Sequence, residues 1–174
     1  MRAILLTLFF SFTASIIPTG SQAQDLPLTD DEQNFVHAAH KSNLFELQAS
    51  ELAEQNTSNP DVQKFAKQML TDHGKTNARL VLLAKEHYVT LDVNLLPEHQ
   101  QIIGALSDLK DDDFDQMYVE EVGIKAHENA VRTFRRGAPQ LVNASLQRFN
   151  VETLAVISEH FEHAKSLQQK LAAQ

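Results

Sequence analysis

The chain has 174 residues, with 15 Lys and Arg against 23 Asp and Glu, a formal net charge of −8 and no Cys or Trp; 43% of residues are hydrophobic and 22% charged. That profile is one globular domain, and an acidic surface repels phosphate backbones, so nucleic acid is excluded as a partner class. Without Cys there is no disulfide framework, thiolate metal site, thiol nucleophile or lipid anchor on cysteine.

Arg2 carries the only charge before Asp25, and Ala3 to Ile17 is an apolar run broken only by Thr and Ser. These are the charged and apolar regions of a signal peptide; Pro18 and Gly20 end it, and Ser21-Gln22-Ala23 offers small residues for cleavage after Ala23. The expectation is a signal peptide over 1–23 and a single domain over 24–174, periplasmic or secreted. An uncleaved anchor is the rival, but the run is shorter than the ~20 residues a bilayer core requires. No transmembrane span is therefore expected after cleavage.

Thr29-Asp30-Asp31-Glu32 reads as a capping box opening a first long helix that runs to about Gln55, with a stripe of Phe35, Ala38, Ser42, Phe45, Ala49 and Leu52. Asn59 caps a second helix, Pro60 takes its first position, and Val62, Ala66, Met69, His73, Thr76, Leu80 and Leu83 line it as far as about His87. A long link follows from Tyr88 to Asp113, carrying a short amphipathic segment that opens at Pro97. Asp111 to Asp113 then supply a cap and negative charge for a third helix with Phe114, Met117, Ile124, His127, Val131 and Phe134, which stops near Gly137. A fourth helix starts around Asn143 and carries Leu146, Phe149, Thr153, Val156, His160, His163 and Leu167. No strand-like alternation is present. Four long helices with one long link between the second and third define an all-α chain, a ferritin-like four-helix bundle with a crossover that contains a short helix.

The stripes are violated at His73, His127 and His160, each on a different helix, and at Glu46 on the flank of the first helix, between Ala39 and Ala53 at heptad spacing. Burying such groups without partners costs several kcal/mol. A transition metal (Zn, Fe, Mn or Cu) satisfies them, with Glu46, His73, His127 and His160 as ligands and Glu120 and His163 as further candidates. Mutual hydrogen bonding around buried water satisfies them equally. Heights along the helices oppose a shared level. Counted from a turn near Gln140, His160 lies further along the fourth helix than His127 lies back along the third, so either the fourth helix breaks near Asn150 to Thr153 or His160 faces Glu120. His37, His40 and His99 read as solvated surface, and Arg132, Arg135 and Arg136 as cations suited to a helix C-terminus.

Phe35 through Glu46 to Ala53, Pro60-Asp61-Val62, Met69-Leu70-Thr71-Asp72-His73, Phe114-Asp115 with Tyr118, His127-Glu128 and Leu154 to His160 together resemble a secreted bacterial family, domain of unknown function 4142. The resemblance runs from about residue 30 to 170. It implies a ferritin-like fold in an exported protein, sometimes named a putative outer-membrane protein, without an established activity. It also places the family's acidic position on Glu46 and its helix histidines on His73, His127 and His160. Where the family usually has Pro after Leu in the last helix, this chain has Ala155.

The leading functional reading is an envelope structural or interaction module with a His/Glu-lined core and an envelope protein partner. The alternative is a periplasmic bundle that stores, buffers or senses a transition metal. No catalytic residue is singled out: a metal-dependent redox enzyme ranks third, because the second and fourth helices lack the Glu-x-x-His pairs of di-iron bundles.

Overall fold

The computed structural model describes residues 27–173, and the expected signal peptide lies outside them. All regular structure among the described residues is helical: α1 (Asp30–Asn56), α2 (Pro60–Glu86), α3 (Pro97–Ser107), α4 (Asp111–Met117), a π-helical segment (Tyr118–Ala126), α5 (His127–Gly137), a 3-10 turn (Ala138–Gln140) and α6 (Ala144–Leu171). None of these helices is long and apolar enough to cross a membrane.

The starts follow the sequence. The Thr29 hydroxyl accepts from the Glu32 N–H at 3.3 Å while the Glu32 carboxylate accepts from the Thr29 N–H at 3.0 Å. Asn59 Oδ1 takes the Asp61 N–H and Asn143 Oδ1 takes the Ser145 N–H, each closing an otherwise open helix end. Asp111 to Asp113 do form the acidic first turn of α4, but no side chain caps it, contrary to expectation.

Contacts between named residues set the directions. At one end Phe35 packs on Phe134, His87 meets Asn143, and Glu32 accepts the backbone N–H groups of Val142 and Asn143. At the other end Lys170 bonds Asp61 and Ser58 bonds Asp111. So α1 and α6 run one way, while α2 and the continuous rod of α4, π segment and α5 run the other. The link between α2 and α4 returns along α1, held by Lys41 on Asp92, His99 stacked on Phe45 at 4.3 Å, and the Asn56 amide on the Leu106 carbonyl.

Two expected faces move. On α1 the buried line is Ala39, Glu46 and Ala53 beside Phe35, Phe45 and Ala49, with Ala38 left exposed. On the α4 to α5 rod the buried face is Phe114, Tyr118, Val122, His127, Ala130 and Phe134, while Met117, Ile124 and Val131 are only partly buried. Steps of four residues overrun a 3.6-residue turn, and the step of five from Val122 to His127 falls within the widened π turns that absorb the drift. A constant helical period therefore misplaces this stripe.

The core forms two apolar clusters. One contains Phe45, Phe65, Met69, Phe114, Tyr118, Val122 and Ala164; the other contains Ala39, Leu80, Ala130, Phe134, Phe149 and Ile157. On α2, the rod and α6 the violating histidine lies between the two clusters, His73, His127 and His160 respectively, and Glu46 joins them in one layer from α1 beside Phe45 at the edge of the first.

Candidate metal centre

Each residue of that layer is buried: Glu46 is 1% exposed, His73 3%, and His127 and His160 0%. Helix α6 is unbroken through Asn150 to Thr153, and His160 meets His73 and His127 rather than Glu120, so neither of the two alternatives, a break or a Glu120 partner, holds. The offset is taken up in part by the link after α5. Gly137 abuts Phe35, whereas Asn143 sits at Glu32, almost a turn nearer the start of α1, so α6 starts further out than the point where α5 stops.

The rings meet face to edge or tilted, with centroids 5.5 Å apart for His73 and His127, 5.2 Å for His73 and His160, and 5.5 Å for His127 and His160. One nitrogen from each lies within 4.8 Å of the other two. The second nitrogen of each ring is held. His127 Nδ1 donates to the Val122 carbonyl at 2.8 Å, leaving Nε2 buried with no partner. His73 Nδ1 faces Asn43 Oδ1 at 3.0 Å and Glu46 Oε2 at 3.2 Å, and His160 Nε2 faces Asp72 Oδ2 at 3.2 Å.

The proton count follows from these partners. A neutral imidazole has one N–H and one lone pair. His127 spends its N–H on the Val122 carbonyl, so its Nε2 is bare; a His73 that donates from Nδ1 to the Asn43 amide oxygen keeps its Nε2 as an acceptor facing His160 Nδ1. His160 Nδ1 lies 3.3 Å from His73 Nε2, and its single N–H cannot serve both that nitrogen and the Asp72 carboxylate. Protonation is opposed throughout: burial holds His127 down to about 4, His73 well below the usual imidazole value and His160 below it. One nitrogen of each ring therefore converges in a buried layer where the imidazoles resist protonation. A held far nitrogen and a bare near one is also how a ligand imidazole is oriented for a metal.

Glu46 lies behind the rings, its Oε2 on His73 Nδ1 and its Oε1 3.9 Å from His127 Nδ1, where the Ser42 hydroxyl also donates to it. Burial pushes its carboxyl up to about 8 against the opposing Ser42 bond. The two further candidates stay apart from the trio: Glu120 takes the Gln168 amide and pairs with Lys125, while His163 faces Gln68 and edges onto Phe65.

Sequence reasoning missed Asn43 and Asp72. Asn43 precedes Glu46 by three residues on the same helical face, which is a usable signal; Asp72 sits beside a buried histidine and reads as surface. None of the three histidines expected at the surface is fully exposed, His37 being half-buried. His40 is buried at 3% exposure, and His99 is half-buried on Phe45.

These features define an all-helical protein whose core is cut by a layer of three imidazoles. A family model described as a domain of unknown function (DUF4142) matches residues 18–167, and the chain belongs to that family. No curated protein and no solved structure matches it.

Proposed function

We propose that this protein is an exported, ferritin-like four-helix bundle that holds a transition-metal ion on His73, His127 and His160, for storage, buffering or sensing rather than catalysis. The observation that carries the reading is that one nitrogen from each of three buried imidazoles lies within 4.8 Å of the other two, His127 Nε2 among them without a partner, while the opposite nitrogens face Val122, Asn43 and Asp72. Three neutral imidazoles suit zinc, copper or iron; manganese, which favours carboxylate and water oxygens, fits less well. Glu46 sits behind the rings against His73, and loss of its proton offsets the charge that a cation brings. The export reading rests on residues 1–23, and it puts the site in the periplasm or outside the cell.

The test is elemental analysis of the untagged chain from Gln24 onward, with its melting temperature in the presence and absence of chelator. A stoichiometric metal and a clear melting drop on chelation are expected, since ligand at a hundredfold its Kd stabilises by about 2.7 kcal/mol. Metal-free protein whose melt is indifferent to zinc, copper and iron sinks the reading. The interaction-module reading then leads, favoured by Tyr88 and Val93, which stand 96% and 73% exposed on the link before α3.

A further inference from the structure

The three rings are 3% exposed or less, so an ion that they hold has to come in past something. Of the side chains that bond them, Glu46 and Asn43 are buried, whereas 28% of the Asp72 side chain is open to solvent. Asp72 adjoins His73 on α2, and its Oδ2 faces His160 Nε2 at 3.2 Å. Its Oδ1 lies 3.4 Å from the ammonium of Lys75, a side chain 75% exposed. One carboxylate thus touches the trio with one oxygen and the surface with the other.

Asp72 also lines a groove. About 290 Å³ lies between α2 and α6, bounded by Asp72, Lys75 and Thr76 on one side and by Thr153 and Val156 on the other. Thr76 stands one turn beyond His73 and Val156 one turn before His160, so the opening comes within a turn of both rings. A larger pocket, about 580 Å³ between α1, α3 and α5, approaches the layer through Ser42, which donates to Glu46. The one carboxylate lining it, Asp92, is taken by Lys41 at 2.6 Å and bonds no ring of the trio.

We propose that the metal ion enters and leaves the trio by way of Asp72, which takes the hydrated cation from the α2/α6 groove and in doing so lets go of His160. The inference rests on the metal reading and adds the point of exchange. An anionic oxygen at the surface binds a cation that still carries most of its water, which imidazoles packed in a core cannot do. Both oxygens of Asp72 are engaged, so a cation on the carboxylate displaces the Lys75 ammonium into solvent and competes with His160 Nε2 for Oδ2. Freed from Asp72, the His160 ring turns toward the ion and draws it to His73 and His127. The transfer exchanges an oxygen ligand for nitrogen ligands and leaves the oxidation state of the metal unchanged.

The test uses the untagged chain from Gln24 onward, made metal-free, with Co²⁺ as probe: equilibrium titration for Kd, stopped-flow absorbance for loading and excess chelator for release. Asp72→Asn keeps an oxygen for His160 but not the charge, and is expected to slow loading and release by about ten-fold each while Kd stays within about two-fold. Lys75→Gln, at an exposed position, removes the competing ammonium and accelerates both by about three-fold; it carries the test if the Asp72 variant fails to fold. An equal acceleration in Lys165→Gln, which removes the same charge from α6 outside the groove, makes that effect one of net charge and counts against the route. Wild-type rates in both groove variants of a chain that binds Co²⁺ overturn the entry point and leave the metal reading standing. A Kd weakened by about ten-fold or more in Asp72→Asn, with loading unchanged, makes Asp72 a residue that only positions His160 and overturns the entry point too. A wild-type chain that takes up no Co²⁺ at equilibrium sinks the metal reading and, with it, this inference.

Discussion

His127 Nδ1 donates to the Val122 carbonyl at 2.8 Å, a side-chain bond spanning the same five residues as a π turn. The widened segment thus does two things at once. It brings the buried face of the rod into line, and it presents a carbonyl that fixes the His127 tautomer, so that Nε2 points inward bare. Irregular turns of this kind often sit at functional sites, where they aim a side chain that a regular helix would turn away.

Replacing His127 by Ala removes a ligand nitrogen, opens a cavity and leaves the Val122 carbonyl unpaired. The metal-free variant should lose about 2–4 kcal/mol of stability, read from urea midpoints with chelator present. It should also purify without metal. Full metal content in this variant takes His127 out of the ligand set.

The polar layer makes the metal-free protein most stable near pH 6.5. Burial holds His127 down to about 4 and depresses His73 and His160, while the unfolded imidazoles titrate at 6.5, so between those values the unfolded chain binds more protons and stability rises with pH. Glu46 works in the opposite sense: pushed up to about 8 by burial, it holds a proton that the unfolded carboxyl has already lost, and its contribution fades as pH rises toward 8. Below 6.5 three groups outweigh one; above it only Glu46 acts. Denaturant midpoints at three pH values with chelator check this, and a steady rise through pH 8 contradicts it.

Two glycines should respond in opposite directions. A Cβ on Gly123 would lie 2.8 Å from the Ala164 Cβ, and neither carbon can swing aside, so Gly123→Ala is expected to cost about 1–3 kcal/mol. Because those two residues lie one turn from His127 and His160, the same variant should weaken metal binding. Gly74, inside α2, has nothing within 4 Å of its Cβ position, and Gly74→Ala should stabilise by about 0.5–1 kcal/mol. Thermal melts of the two variants side by side decide the matter.

Glu32 closes its own capping box and also ties α1 to the start of α6 through the Val142 and Asn143 N–H groups at 2.9 and 2.6 Å. Burial raises its carboxyl pKa, but the backbone bonds from Asn143, Thr29 and Val142 outweigh that and hold it below the usual value. Its stabilising effect is present above the unfolded carboxylate value and disappears as pH falls through the depressed one. Glu32→Ala should cost about 1–3 kcal/mol at neutral pH and progressively less in acid, which urea midpoints at pH 7 and pH 3 measure.

The helices were legible in the sequence because their signals are local: a capping box at Thr29, Asn59 before Pro60, Asn143 before the last helix, and apolar residues recurring each turn. The four polar positions were legible for the same reason, as charges and imidazoles inside apolar runs, and the structure gathers all four into one layer. The face of the α4 to α5 rod was misread because a fixed period cannot register the π turns of Tyr118–Ala126, and on α1 the stripe was drawn through Ala38, which is exposed, instead of through Ala39, Glu46 and Ala53. Asn43, Asp72 and His40 carried too weak a local signal. The amino-acid sequence by itself determined the helices, their ends and the imidazoles in their stripes, since caps and periodicity act over a few residues. Only the tertiary structure decided that His160 shares a level with His127, that Glu46 stands behind the rings, and that one nitrogen of each imidazole converges with the others, because those relations depend on the offset and rotation of helices far apart in the chain.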